Sequence, residues 1–150
     1  MGDILSLFSL EGVETIGASS ASEAVSVFKN NKDVIGVVIC DIMMRKPKSP
    51  LLSEYLANRV ETGIALSQWF KSEKPKVSII GCSATSRGEL SRSWFEKYAC
   101  GYVSKPLSSN LEEIFKLIRD VRKKTNKRMS SDWFPRCAPN QPQMRALCSI

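Results

Sequence analysis

Residues 34–41 read VIGVVICD, a continuous apolar and β-branched run that stops abruptly at Asp41. Apolar residues at every position, without alternation, are the pattern of a strand covered on both faces, as in a parallel sheet. A second run of the same kind, VSIIGC at 77–82, is followed by the small polar residues Ser83-Ala84-Thr85-Ser86. A third and shorter one, Tyr102-Val103-Ser104, is broken by Lys105-Pro106. Between and around them lie helical patterns. Ala24, Val25 and Phe28 share a face in 22–30, behind the cap candidates Ser19, Ser20 and Ser22. Ile64, Ala65 and Trp69 mark a helix from Glu61 that closes at Lys74-Pro75. Leu90, Trp94, Phe95 and Tyr98 mark one over 87–99, and Leu111, Ile114, Phe115, Ile118 and Val121 one over 111–124. Upstream, residues 3–10 read as the end of a helix capped by Gly12, and 13–17 as a short strand. Strands alternating with helices specify an α/β fold, a doubly wound parallel sheet with right-handed crossovers.

Such a sheet gathers its chemistry at the carboxyl ends of its strands. Asp41, Ser83 and Lys105 each end or directly follow a predicted strand, so all three face one crevice. A carboxylate can attack phosphorus, a lysine can pair with a phosphoryl oxygen, and a hydroxyl can donate to another. The chain has no histidine, which excludes Ser-His-Asp and Cys-His catalysis, His-ligated zinc and a histidine phosphodonor within the chain itself. The second Asp expected two residues after the nucleophile of a HAD-like phosphatase is Met43 here.

These residues resemble the receiver domains of two-component response regulators. The resemblance rests on VVICD at Asp41, on IIGCSA with Ser83 in the hydroxyl position, and on GYVSKP with Lys105 before Pro106; it covers about residues 4–124. It implies a flavodoxin-like fold and a phosphorelay function. Asp41 would accept a phosphoryl group from a phosphohistidine on a histidine kinase or histidine phosphotransfer protein, with Lys105 and Ser83 contacting the phosphoryl oxygens. Tyr102 would be the switch aromatic, and Met43 would offer its backbone carbonyl to Mg²⁺. It also implies a cis bond at Lys105-Pro106, which the sequence alone does not require. No turnover enzyme is implied beyond self-phosphorylation and self-dephosphorylation at Asp41. A phosphorylation-inactive pseudo-receiver, acting as a protein-interaction module, is the alternative.

Two features depart from the family pattern. Receivers open with a strand that ends in a pair of Mg²⁺-holding acids, and the sequence ahead of Asp41 contains no such pair; Asp3 falls in a helical segment. The sheet is therefore expected to lack its first strand. The glycine that precedes the next helix is Gly63, displaced from Asp41 by an insertion over about 45–60 that carries Lys46, Pro47, Lys48 and Pro50. The domain is thus read as 1–125, and 126–150 as a basic, disordered tail with no periodicity.

Charge follows the same division. Residues 1–115 carry 13 basic and 13 acidic side chains, whereas 116–150 carry 9 and 2, so the net +7 belongs to the last helix and the tail. Cations at the end of a helix complement its dipole, and without a recognition motif a nucleic-acid partner is disfavoured. A hydrophobic share of 43% supports a packed core, and no apolar run is long enough to span a membrane. Five cysteines without a CxxC pair read as reduced thiols, three of them in or beside apolar runs, and the expected location is the cytoplasm, with the nucleus compatible.

Overall fold

The computed structural model describes residues 2–47, 50–56, 61–84, 94, 97–131 and 144–149. In chain order the elements are α1 (Gly2–Leu10), β1 (Thr15–Ala18), α2 (Ala21–Asn31), β2 (Ile35–Asp41), α3 (Pro50–Leu56), α4 (Thr62–Glu73), β3 (Ser78–Ser83), β4 (Gly101–Ser104), a 3-10 turn (Leu107–Asn110), α5 (Leu111–Ser131) and β5 (Arg145–Ser149). Every strand pair is parallel, and the five strands lie in the order β1-β5-β2-β3-β4.

Alternation along β2 divides the core. Val38, Cys40 and Ile42 pack with Phe28, Ile64, Trp69 and Phe70 of α2 and α4. Val37 and Ile39 pack on the other side with Phe8 of α1 and with Phe115 and Ile118 of α5. With helices on both faces, a strand must be apolar at every position. The helix ends form as their residues dictate. Ser20 caps α2 by accepting from the Glu23 amide at 3.1 Å, while the Glu23 carboxylate accepts from Ser19 N at 2.7 Å and Ser19 Oγ at 2.6 Å. Those bonds hold the Glu23 carboxyl below its ordinary range. Gly12, at φ +69°, lets the chain leave α1, and the Val13 amide returns to the Phe8 carbonyl at 3.0 Å. The inserted segment contains α3, whose Leu52 is fully buried and whose Tyr55 hydroxyl donates to Ser72 Oγ on α4 at 3.2 Å. Of the helix expected over 87–99, Trp94, Lys97 and Tyr98 are described as helical and most of the rest lies outside the described residues.

The expectation of a disordered tail over 126–150 is corrected where residues are described. Helix α5 continues to Ser131, and 145–149 form β5, inserted between β1 and β2; residues 132–143 lie outside the described residues. Strand β5 thus fills the place in the sheet where a missing first strand was expected. It bonds on both sides: the Arg145 amide donates to the Val34 carbonyl and the Ala146 amide to the Glu14 carbonyl, each at 2.9 Å. Leu147 sits opposite Ile16 on one side and Val38 on the other. Its side chain enters one core layer, and Ala146 and Cys148 enter the other. Three apolar residues are too few to display a period, so this strand declares itself only through its neighbours.

Cys40, Cys82 and Cys148 are buried free thiols. Burial pushes the Cys40 and Cys148 thiols up to about 12 from an ordinary 9.0, and raises Cys82 for the same reason. Unfolding frees these groups to ionise. Their contribution to stability is complete below pH 9 and is lost as the pH rises through about 12. Lys71 and Lys74, lowered from 10.5 by burial, act in the opposite sense: stability gains as pH rises through their folded pKa toward 10.5. With these three thiols, and that of Cys100 raised by burial as well, against two partly exposed lysines, the thiols dominate, and the urea midpoint is expected to fall steadily above pH 9. Replacing all three cysteines by alanine should flatten that decline; an unchanged slope would mean that other groups cause it.

Among the described residues no helix is long and apolar enough to cross a membrane. Beyond Val121, residues 123–127 of α5 are exposed, and its cations there lie outside the core.

Candidate functional site

Parallel pairing brings the three strand ends together. Asp41 lies in register with Cys82, and Ser83 with Ser104, so Asp41, Ser83 and Lys105 stand side by side at the carboxyl edge of the sheet. The Ile42 amide bonds to the Cys82 carbonyl, and the Lys105 amide to the Ser83 carbonyl, each at 3.0 Å, extending the ladder past the strands. The Lys105-Pro106 bond is cis. Beyond it, Leu107 is buried, while Asn110 Nδ2 donates to the carbonyls of Ser104 at 2.9 Å and Pro106 at 3.3 Å, so the loop carrying Lys105 is fixed at both ends.

The result is a close ion pair. Lys105 Nζ lies 2.6 Å from Asp41 Oδ2, and Asp41 Oδ1 accepts from the Met43 amide at 3.0 Å. The Asp41 side chain is 12% exposed and that of Lys105 31%, so the pair is shielded from bulk water yet reachable from one side. A charge-assisted bond of this length in a partly dried site fixes the orientation of the carboxylate. Ser83 is buried, and the Tyr102 hydroxyl donates to its carbonyl at 3.4 Å, tying the aromatic to the backbone of the hydroxyl residue. Met43 stands at the mouth with its side chain 61% exposed.

Gly63 supports the site from below. Its amide donates to the Ile42 carbonyl at 3.0 Å, and a β-carbon there would stand 2.1 Å from the Asp41 carbonyl oxygen. Only glycine admits this approach of α4 to the loop that carries Asp41. Sequence reasoning overlooked Ser149 and Met44. Ser149 ends β5 beside Cys40, is wholly buried, and directs its Oγ to Met44 Sδ at 3.4 Å. The signal for it lay in the strand that went unread.

A hard divalent cation such as Mg²⁺ prefers several oxygen ligands, one or two of them carboxylates. Among the described residues no three acids, histidines or cysteines come together as ligands. Asp41 has one oxygen on Lys105 and the other on the Met43 amide, and β5 presents the hydroxyl of Ser149. The described residues therefore do not fit the family's Mg²⁺ site.

The five-stranded parallel sheet carries an Asp, a hydroxyl and a Lys on adjacent strand ends. The chain is similar to the crystal structure of a response regulator receiver domain protein from Clostridium thermocellum, with a TM-score of 0.63 and 24% sequence identity over 83% of this chain and 86% of that one. The likeness establishes the fold. No family model matches the sequence, and no curated protein matches it.

Proposed function

We propose that the chain is a receiver module of a phosphorelay in which Asp41 accepts a phosphoryl group from the phosphohistidine of a histidine kinase or histidine phosphotransfer protein. The observation that carries this reading is the Asp41–Lys105 pair at 2.6 Å, flanked by Ser83 on the strand between them. An Asp41 carboxylate oxygen forms the new P–O bond as the P–N bond to the imidazole breaks, and the leaving nitrogen keeps the electron pair. Lys105 moves from the carboxylate to the phosphoryl oxygens, where its charge offsets the added negative charge. Ser83 donates to another of those oxygens, and Tyr102, tied to the Ser83 carbonyl, follows it and alters the surface that a partner reads. The role is signalling rather than turnover, in a cytoplasmic or nuclear setting.

One observation favours a second reading, a pseudo-receiver that keeps the fold and its partner-binding face without phosphorylation. The acids that would hold Mg²⁺ are absent from the described residues. Incubation with a small-molecule phosphodonor and Mg²⁺, followed by intact mass, separates the two. The expected result is one phosphoryl adduct on the native chain and none on Asp41→Asn. No adduct, even with a phosphorylated histidine phosphotransfer protein added, would leave the interaction module.

A further inference from the structure

Strand β5, an interior strand of the sheet, comes from the last described residues of the sequence, and its manner of attachment carries an inference independent of the phosphorelay reading. Among the described strands β1 pairs with β5 alone, so without β5 both β1 and β2 present unpaired backbone to an open slot one strand wide. Strand β5 fits that slot through backbone bonds on both sides, with Ala146, Leu147 and Cys148 buried.

The tether is long. Among the residues of α5 whose burial is described, Val121 is the last buried one, and the helix runs ten residues further, to Ser131. At a rise of about 1.5 Å per residue the helix carries the chain about 15 Å beyond that contact. Residues 132–144 then separate α5 from β5, with prolines at 135, 139 and 142. Extended, such a connector spans up to about 45 Å, so it reaches its own slot and equally the slot of a neighbouring molecule.

We propose that this slot accepts β5 from a second copy of the chain, giving a strand-exchanged dimer in which each sheet is completed by the other's 145–149. Exchange keeps every bond and every buried side chain of β5 and changes only which chain supplies them. The energetic balance is then set by connector geometry and protein concentration rather than by new contacts. The Arg145–Glu14 pair at 2.7 Å sits at the entrance of the slot and fixes the register of an incoming strand from either source.

The test uses the full chain, unfolded in urea and refolded over a hundredfold range of concentration, with mass read by light scattering. The expected result is a dimer fraction that rises with the concentration during refolding and changes slowly on later dilution. A synthetic peptide with the sequence of 144–150, present in excess during refolding, should occupy the slots and cut that fraction at least severalfold. A chain that stays monomeric at every concentration overturns the proposal. So does a dimer that the peptide leaves unchanged, because its interface would not run through β5.

Discussion

Replacing Leu147 by Asp is expected to abolish cooperative folding. Leu147 is fully buried, packs into the core layer of α2 and α4, and lies between Ile16 of β1 and Val38 of β2. Removing a buried leucine side chain costs about 2–5 kcal/mol, and an uncompensated charge in its place adds several more. The total stability of a domain this size is about 5–15 kcal/mol. The loss also spreads, since among the described strands β1 joins the sheet only through β5. Far-UV circular dichroism should show no sigmoidal melt for Leu147→Asp, whereas Arg145→Gln, which removes a rim ion pair with Glu14, should shift the melt by no more than a degree or two. A native melt for Leu147→Asp would show that 145–149 is not part of the sheet.

The same strand marks the limit of what the sequence discloses. The central strands β2 and β3 were legible because a run of six or seven apolar residues can be satisfied only by cover on both faces. The site was legible because each of its residues follows a predicted strand: Asp41 after VIGVVIC, Ser83 after VSIIGC, Lys105 after the short Tyr102-Val103-Ser104. The meeting of Asp41 and Lys105 at 2.6 Å follows from parallel register, in which strand ends with matched positions share one edge. By contrast, Ala146-Leu147-Cys148 is a short apolar patch between Arg145 and Ser149. Period counts are local, while the demand that makes this patch a strand is the gap between β1 and β2, a property of the assembled sheet. The misread end of α5 has a related cause. Past Val121 the residues 122–128 are all polar, so no apolar stripe announces the helix, and the structure extends it to Ser131 on residues whose propensity suffices.

Gly63→Ala is expected to damage the stability of the chain and the chemistry of Asp41 together. The added methyl carbon would lie 2.1 Å from the Asp41 carbonyl oxygen, 2.5 Å from Ile42 Cα and 2.8 Å from the Asp41 carbonyl carbon. All three are backbone atoms, so no side-chain rotation relieves the clash. Either α4 or the loop after β2 must move by about an ångström, which costs on the order of 1–3 kcal/mol in a close-packed interior. The loop is the more yielding, since α4 is anchored by Ile64, Leu66, Trp69 and Phe70 in the core. Its movement would carry Asp41 away from Lys105, whose own loop is pinned by Leu107 and Asn110. A lower urea midpoint is therefore expected together with at least tenfold slower formation of the phosphoryl adduct. The comparison variant is Gly12→Ala, which places a residue at φ +69° with open space around its β-carbon. That substitution costs roughly 1 kcal/mol through the backbone alone and, at the end of α1, should leave the adduct rate at its native value. A Gly63→Ala chain that keeps both native stability and native adduct formation would mean that α4 does not approach Asp41 as closely as described.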